Sequence, residues 1–203
     1  MVRSFIFDIG NVLIPFDFNR ALRRIAPQCS VSLETLPPES HALTQIYESG
    51  KIDRAEFLRQ AFALLQYHGT EAEFIAAWSD IFVENHAMTG LVQRLRARYP
   101  LYLLSNTSDI HSAYFEAKYP VFQAFSGAVY SYTAGCIKPN PAIFEIAIRQ
   151  FGVDPAETVY IDDLHANVVA AQSLGFRALH YDFERHPRLV EQLTALGVED
   201  IAD

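Results

Sequence analysis

Cysteine, basic residues and long apolar runs are all scarce in this 203-residue chain. The two cysteines, Cys29 and Cys136, lie far apart and form neither a CxxC pair nor a zinc-ligand spacing, so both read as buried thiols rather than reactive ones. Cys136 precedes Lys138 closely enough to lie near a site built around that lysine. Lysine and arginine number 16 against 24 acidic residues, for a net charge of −8, which leaves no basic face for nucleic acid or an anionic membrane. Any anionic substrate must be met by a local cation. No apolar stretch approaches the length of a membrane span, and the N-terminal apolar run is broken by Asp8 with no small-residue cleavage site behind it. The expectation is a cytoplasmic protein. Internal repeats and low-complexity segments are absent.

What the chain does have is apolar mass. Half of it is hydrophobic (50%), enough for a sizeable core in one domain, or one domain with an insertion. Short runs rich in β-branched and aromatic residues recur at 3–8 (RSFIFD), 101–105 (LYLLS), 127–131 (GAVYS), 158–162 (TVYID) and 177–181 (RALHY). Each ends in polar residues, as buried parallel strands do. Helical spacing marks 87–98, 140–151 with Pro141 in its first turn, 163–174 closed by Gly175, and 187–196 closed by Gly197. Strand and helix in alternation predict right-handed βαβ units and an open α/β parallel sheet, with ligands outside the carboxyl ends of the strands.

The first strand breaks the alternation. From Phe16 to His86 only helical patterns occur, at 18–25, 41–49, 53–65 with Asp53 as cap, and 70–82, with Pro37 and Pro38 punctuating the first two. This predicts an all-helical insertion, residues 16–86, lying over the active edge of a core made of 1–15 and 87–203. Its Phe and Leu positions read as core. Trp78, Tyr47 and His86 are candidate contributors to substrate selection, although packing or surface roles are the simpler reading for all three.

Asp8 lies inside the apolar run FIFDIGNVLIPF, and a charge is costly to remove from water unless something pairs with it. The same predicted sheet edge carries Ser105 with Asn106, Lys138, and Asp162 with Asp163. Three carboxylates would repel one another unless a cation joined them, and Mg²⁺ takes hard oxygen ligands of this kind. Lys138 is a point charge suited to a phosphoryl oxygen, and a helix start after Ser105 would offer backbone N–H groups to an anion. Each part has an ordinary reading: Ser-Asn as a helix cap, Lys138 as a solvated loop residue, paired aspartates as a cap for the next helix. Their shared placement carries the argument.

FDIGNVL, LLSNTS, IKPNPAIF and YIDDLHANV, in that order and spacing, resemble the four motifs of the haloacid dehalogenase-like hydrolases. The helical insertion is similar to their C1-type cap, and the resemblance covers essentially the whole chain. It implies a Rossmann-like parallel sheet core and Mg²⁺-dependent phosphatase chemistry on a small phosphorylated metabolite. Within the family it resembles the small-sugar phosphatase branch of α-D-glucose-1-phosphatase, through D-x-G-N-V followed by Asp17 and Arg20. Residue by residue, it makes Asp8 the nucleophile that forms an aspartyl-phosphate, with Ser105 and the Asn106 backbone holding phosphoryl oxygens. Lys138 neutralises nucleophile and phosphate. Asp163 is the inner Mg²⁺ ligand together with Asp8 and the Gly10 carbonyl, Asp162 is a supporting carboxylate at the metal, and Asn167 orients them.

Gly10 departs from the pattern. Most phosphatases of this superfamily carry there a second aspartate that protonates the leaving alcohol, a group worth about 10² to 10⁴ in rate. Three explanations follow: a substrate with a good leaving group, such as a sugar 1-phosphate or acyl phosphate; a substitute acid, for which Asp17 and His165 are candidates; or lost catalysis. As ordinary residues, Asp17 would cap the helix at 18–25 and His165 would be a solvated helix-start residue. The rival function is a non-catalytic phosphometabolite-binding module, against which the intact Asp8 argues. Dehalogenation, which needs no proton and no metal, would leave the Asp162–Asp163 pair without a purpose.

Overall fold

The computed structural model describes residues 1–32 and 38–201; the predicted punctuation at Pro37 lies outside them. Five strands, β1 (Ser4–Phe7), β2 (Leu101–Ser105), β3 (Gly127–Tyr130), β4 (Thr158–Asp162) and β5 (Arg177–His180), form one sheet in the order β3-β2-β1-β4-β5. Every pairing is parallel. This is the predicted α/β Rossmann-like core, with β1 at its centre.

Alternation along the strands sorts the sheet's two faces. Phe5 and Phe7 of β1 join Leu101, Leu103, Val159 and Ile161 in one apolar layer, while Ile6 joins Leu104, Val129 and Tyr160 in the other. A strand residue buried on both faces leaves no room for polar positions, which is why these runs read as continuously apolar.

Between β1 and β2 the chain makes four helices, α1 (Phe18–Ile25), α2 (Pro38–Glu48), α3 (Arg54–Leu65) and α4 (Glu71–Ser79), and then α5 (His86–Leu95). Asp17, Asp53 and Thr70 cap α1, α3 and α4 through side-chain oxygens, and Thr70 with Glu73 makes a full capping box. The first four pack their own core of Ile25, Leu43, Tyr47, Phe57, Leu58, Leu65 and Phe74. The helix α5 differs, because Met88, Leu91, Val92 and Leu95 pack into the sheet layer. His86, the exposed first residue of α5, thus stands on the core rather than among the cap helices.

The remaining helices are α6 (Asp109–Lys118), α7 (Ser131–Ala134), α8 (Pro141–Phe151), α9 (His165–Ser173) and α10 (His186–Ala195). The helix expected directly after Ser105 begins only at Asp109, because Ser108 takes the capping position and accepts from His111 N. No helix among the described residues is long and apolar enough to cross a membrane.

Polar contacts with α6 help fasten cap to core. The buried His111 on α6 is held by the Trp78 carbonyl at 3.0 Å; a carbonyl can only accept, so Nε2 carries the proton. On the other side, Asp109 receives the Tyr47 hydroxyl and, at 2.7 Å, the Arg54 guanidinium.

Candidate active site

The topology gathers the polar strand ends. The ladder stops at Phe7, whose partners are Leu103 on β2 and Ile161 on β4, so Asp8 emerges between the ends of those two strands. Its amide continues the pattern by donating to Ile161 O at 2.9 Å. Ser105 ends β2 and Asp162 ends β4.

Lys138 is not a solvated loop residue. It is 3% exposed, and its ammonium protons meet Asp8 Oδ1 at 2.8 Å, Asp162 Oδ2 at 2.7 Å and Leu104 O at 3.0 Å. Asn106 clamps its backbone from both sides: the Lys138 amide donates to Asn106 Oδ1 at 2.8 Å, and Asn106 Nδ2 donates to Lys138 O at 3.0 Å. The Asn106 side chain is thereby committed to placing the lysine.

Asp162 is fully buried and well supplied with donors. Oδ2 accepts from Lys138 and from the Tyr160 hydroxyl, Oδ1 accepts from Leu164 N at 2.8 Å, and Asn167 Nδ2 reaches both oxygens at 3.0 and 3.1 Å. This carboxylate both fixes the turn before α9 and holds the lysine. Asp163 is only half buried, and Asn11 Nδ2 donates to its Oδ2 at 3.0 Å. Asn11 makes that bond from a left-handed conformation (φ 53°), which asparagine tolerates better than most residues.

One oxygen from each of Asp8, Asp162 and Asp163 lies within 4.8 Å of the others. Burial raises the Asp8 carboxyl to about 7; Lys138 opposes the rise, and Asp162 and Asp163 add to it. Burial likewise raises Asp163, against the Asn11 hydrogen bond. For Lys138 burial acts downward, but Asp8 and Asp162 outweigh it and hold the ammonium above its usual range. Three acids with one ammonium are short of positive charge, and hard oxygens at this spacing suit Mg²⁺. The Gly10 carbonyl beside them accepts no hydrogen bond from the described residues.

Ser105 is buried and its hydroxyl has no partner among the described residues. The loop that follows is fixed by Ser131, whose Oγ accepts from Thr107 N at 2.9 Å and donates to Thr107 O at 3.2 Å. Asp17 stands apart, exposed, capping α1 through Asn19 N at 2.9 Å and facing Arg23 at 3.6 Å. His165 is the exposed first residue of α9, its ring 6.2 Å from that of His180. Trp78 stacks on Phe74 and His111, and Tyr47 stacks on Phe57 in the cap core.

At Gly10 an added side chain would meet the Phe16 ring, which would have to shift. A Cβ there would fall 2.9 Å from Phe16 Cε1, and Phe16 is itself held edge-on by Phe18 and Phe82. Sequence reading missed three contributors. Asn11 left only its place after a glycine as a signal, Ser131 only its place at the polar end of the run GAVYS, and Glu48 only its position in a helical pattern. Glu48, the half-buried last residue of α2, has no hydrogen-bond or ion-pair partner among the described residues, and burial followed by the charge of Asp8 raises its carboxyl to about 7.

The chain matches the family model of the haloacid dehalogenase-like hydrolases over residues 2–175. It is 29% identical over 185 residues to the D-ribitol-5-phosphate phosphatase of Bacteroides thetaiotaomicron, covering 87% of this chain and 90% of that one. It is 28% identical over 183 residues to the sesquiterpene phosphatase AstK of Aspergillus oryzae, covering 88% and 89%. Among solved structures, a family enzyme from Bacteroides thetaiotaomicron in complex with magnesium and inorganic phosphate superposes with a TM-score of 0.80 at 28% identity, covering 90% of this chain and 95% of that one.

Proposed function

The chain belongs to the haloacid dehalogenase-like hydrolases, and we propose that it is a Mg²⁺-dependent phosphomonoesterase acting through Asp8 on a small phosphorylated metabolite. The observation that carries this reading is the 2.8 Å pair of Asp8 with the buried Lys138, beside Asp163 at one sheet edge. Phosphoryl transfer needs little beyond positioning and charge neutralisation, and this edge supplies both.

In this reading Asp8 Oδ attacks phosphorus to form an aspartyl-phosphate, and the ester oxygen departs with the bonding electrons. Lys138 balances the charge of the nucleophile and then of the phosphoryl oxygens. The unpartnered Ser105 hydroxyl and the Asn106 backbone hold those oxygens, and Asp162 and Asn167 keep Lys138 in place. Asp8, Asp163 and the Gly10 carbonyl would hold Mg²⁺, which when bound supplies further positive charge against the phosphate. Water then releases phosphate and regenerates Asp8.

The phosphatase relatives support this chemistry, and the ribitol 5-phosphate enzyme favours a polyol or sugar phosphate as substrate. A second reading rests on the cap. A cavity of about 320 Å³ lies there, lined mainly by apolar side chains including Phe18, Leu43, Phe57, Phe74 and Trp78, with Ser40, His41 and Thr44 as its polar members. Phe18, in the cavity wall, also packs edge-on against Phe16, the ring beside Gly10, and in this reading the cavity would take an apolar tail. The sesquiterpene phosphatase relative fits such an amphiphilic ester.

The test is phosphate release, with and without Mg²⁺, from ribitol 5-phosphate, glucose 1-phosphate and farnesyl phosphate, with Asp8→Asn as control. Turnover that needs both Mg²⁺ and Asp8 is expected, and the preferred ester chooses between polyol and terpenoid. Tight Mg²⁺-dependent binding of an ester with no phosphate release would overturn the reading in favour of a binding module.

A further inference from the structure

The proton missing at Gly10 has a source elsewhere in the fold. We propose that Glu48, on the last residue of cap helix α2, meets the leaving-group oxygen of the substrate and protonates it. The inference rests on the phosphomonoesterase reading and assigns a group to the step that Gly10 leaves open.

Placement comes first. The turn Tyr47–Gly50 is pinned to the carboxyl edge of the sheet on both sides of Glu48. On one side the Tyr47 hydroxyl donates to Asp109 at the start of α6, and Arg54 reaches the same carboxylate at 2.7 Å. On the other side Gly50 takes a left-handed conformation (φ 69°), and a Cβ on it would lie 2.3 Å from the Tyr132 carbonyl oxygen. Only a residue without a side chain can bring the cap backbone that close to α7, which follows directly from β3. The two anchors, Asp109 and Tyr132, follow shortly after Ser105, the end of β2, and Ser131, the start of α7.

The second observation is the state of the side chain. Glu48 is half buried, yet no cation, amide or hydroxyl among the described residues is bonded to it. A structural carboxylate in such a place is normally paired. Its neighbourhood instead includes the negative charge of Asp8, which with burial favours the protonated carboxyl. An unpaired acid on a turn fastened to the catalytic edge through Asp109 and Tyr132 suits proton donation.

The step balances. As Asp8 Oδ bonds to phosphorus, the P–O ester bond breaks, its electron pair stays on the ester oxygen, and that oxygen takes the Glu48 proton to leave as the alcohol. In the second step water adds to phosphorus and gives a proton to the Glu48 carboxylate. The P–O bond to Asp8 then breaks and restores both side chains.

Leaving-group dependence tests the assignment. Glu48→Gln keeps the shape and removes the proton, so phosphate release from ribitol 5-phosphate should fall in kcat by about 10² to 10⁴-fold, whereas p-nitrophenyl phosphate, whose phenolate needs no acid, should keep near wild-type turnover. Glu48→Asp should recover part of the lost rate. Equal losses on both esters, no loss on either, or a change confined to KM would overturn the proposal. Thermal melting of each variant separates misfolding from lost chemistry. Should the wild type release phosphate from neither ester, the phosphomonoesterase reading itself fails, an outcome distinct from selective retention or loss in Glu48→Gln.

Discussion

Lys138 Nζ lies 2.8 Å from Asp8 Oδ1, and both side chains are almost completely shut away from solvent. A buried ion pair adds little stability compared with apolar residues of the same shape, but removing one partner is costly because the other charge stays behind. Here the stranded charges would be those of Asp8 and Asp162 together.

Replacing Lys138 with Met is therefore expected to destabilise the metal-free protein by roughly 3–5 kcal/mol. Urea unfolding without and with Mg²⁺ checks this. The ion should narrow the gap to wild type, since it offers the carboxylates another cation, and a gap unaffected by Mg²⁺ would contradict the placement of the metal.

Mg²⁺ should also stabilise the wild type by binding the folded form alone. At a free concentration of about 100 times Kd the gain is about 2.7 kcal/mol, and it appears as a rise in melting temperature. Asp163→Asn should abolish most of that rise. Chelation should remove both the rise and the turnover, reversibly.

His111 couples pH to the joint between cap and core. Burial lowers its imidazole from the usual 6.5 to about 4, more than the Trp78 carbonyl and Asp109 raise it. The unfolded chain thus binds a proton near pH 6.5 that the folded chain refuses until about pH 4. Stability from this residue is full above the upper value and is lost as pH falls through the window, on the order of 3 kcal/mol in total. Unfolding free energies measured across that range should show a shallower acid loss in His111→Gln, whose amide can still donate to the Trp78 carbonyl. An unchanged slope would mean that other groups set the acid limb.

Gly50→Ala places a methyl against the Tyr132 carbonyl and forces an L-residue into a left-handed conformation. It should cost more than ~1 kcal/mol. Because the same turn carries Glu48, the variant should slow release from ribitol 5-phosphate more than from p-nitrophenyl phosphate. A stability loss with equal kinetic effects would separate the turn from catalysis.

Much of this protein is legible locally. Strands buried on both faces must be apolar throughout, so LYLLS and TVYID announce their positions as 101–105 and 158–162, where β2 and β4 lie. Caps are equally local: Asp17, Asp53 and Thr70 act within a few residues of themselves, and the helix starts they mark are observed. Asp8, Ser105, Lys138 and Asp162 stand out because each is a polar residue at the end of, or in the loop beyond, an apolar run. The helix α6 is expected from Ser105 onward, but its true start at Asp109 is not legible, because Ile110 and Phe115 are its few buried apolar residues, too sparse to declare a period.

Pairings between distant segments were decided only in three dimensions. Asn11 meets Asp163 across 152 positions of chain, and Asn106 clamps the Lys138 backbone across 32. No periodicity encodes such contacts, because they depend on the order β3-β2-β1-β4-β5 that brings the strand ends side by side. The same holds for the empty position at Gly10. Sequence shows that a carboxylate is missing, and it suggested Asp17 and His165 because they are near the motifs. The folded chain instead sets the Phe16 ring beside Gly10 and fastens the turn that carries Glu48 to the core, through a glycine whose necessity lies in a carbonyl oxygen 82 residues away in chain order, between Gly50 and Tyr132.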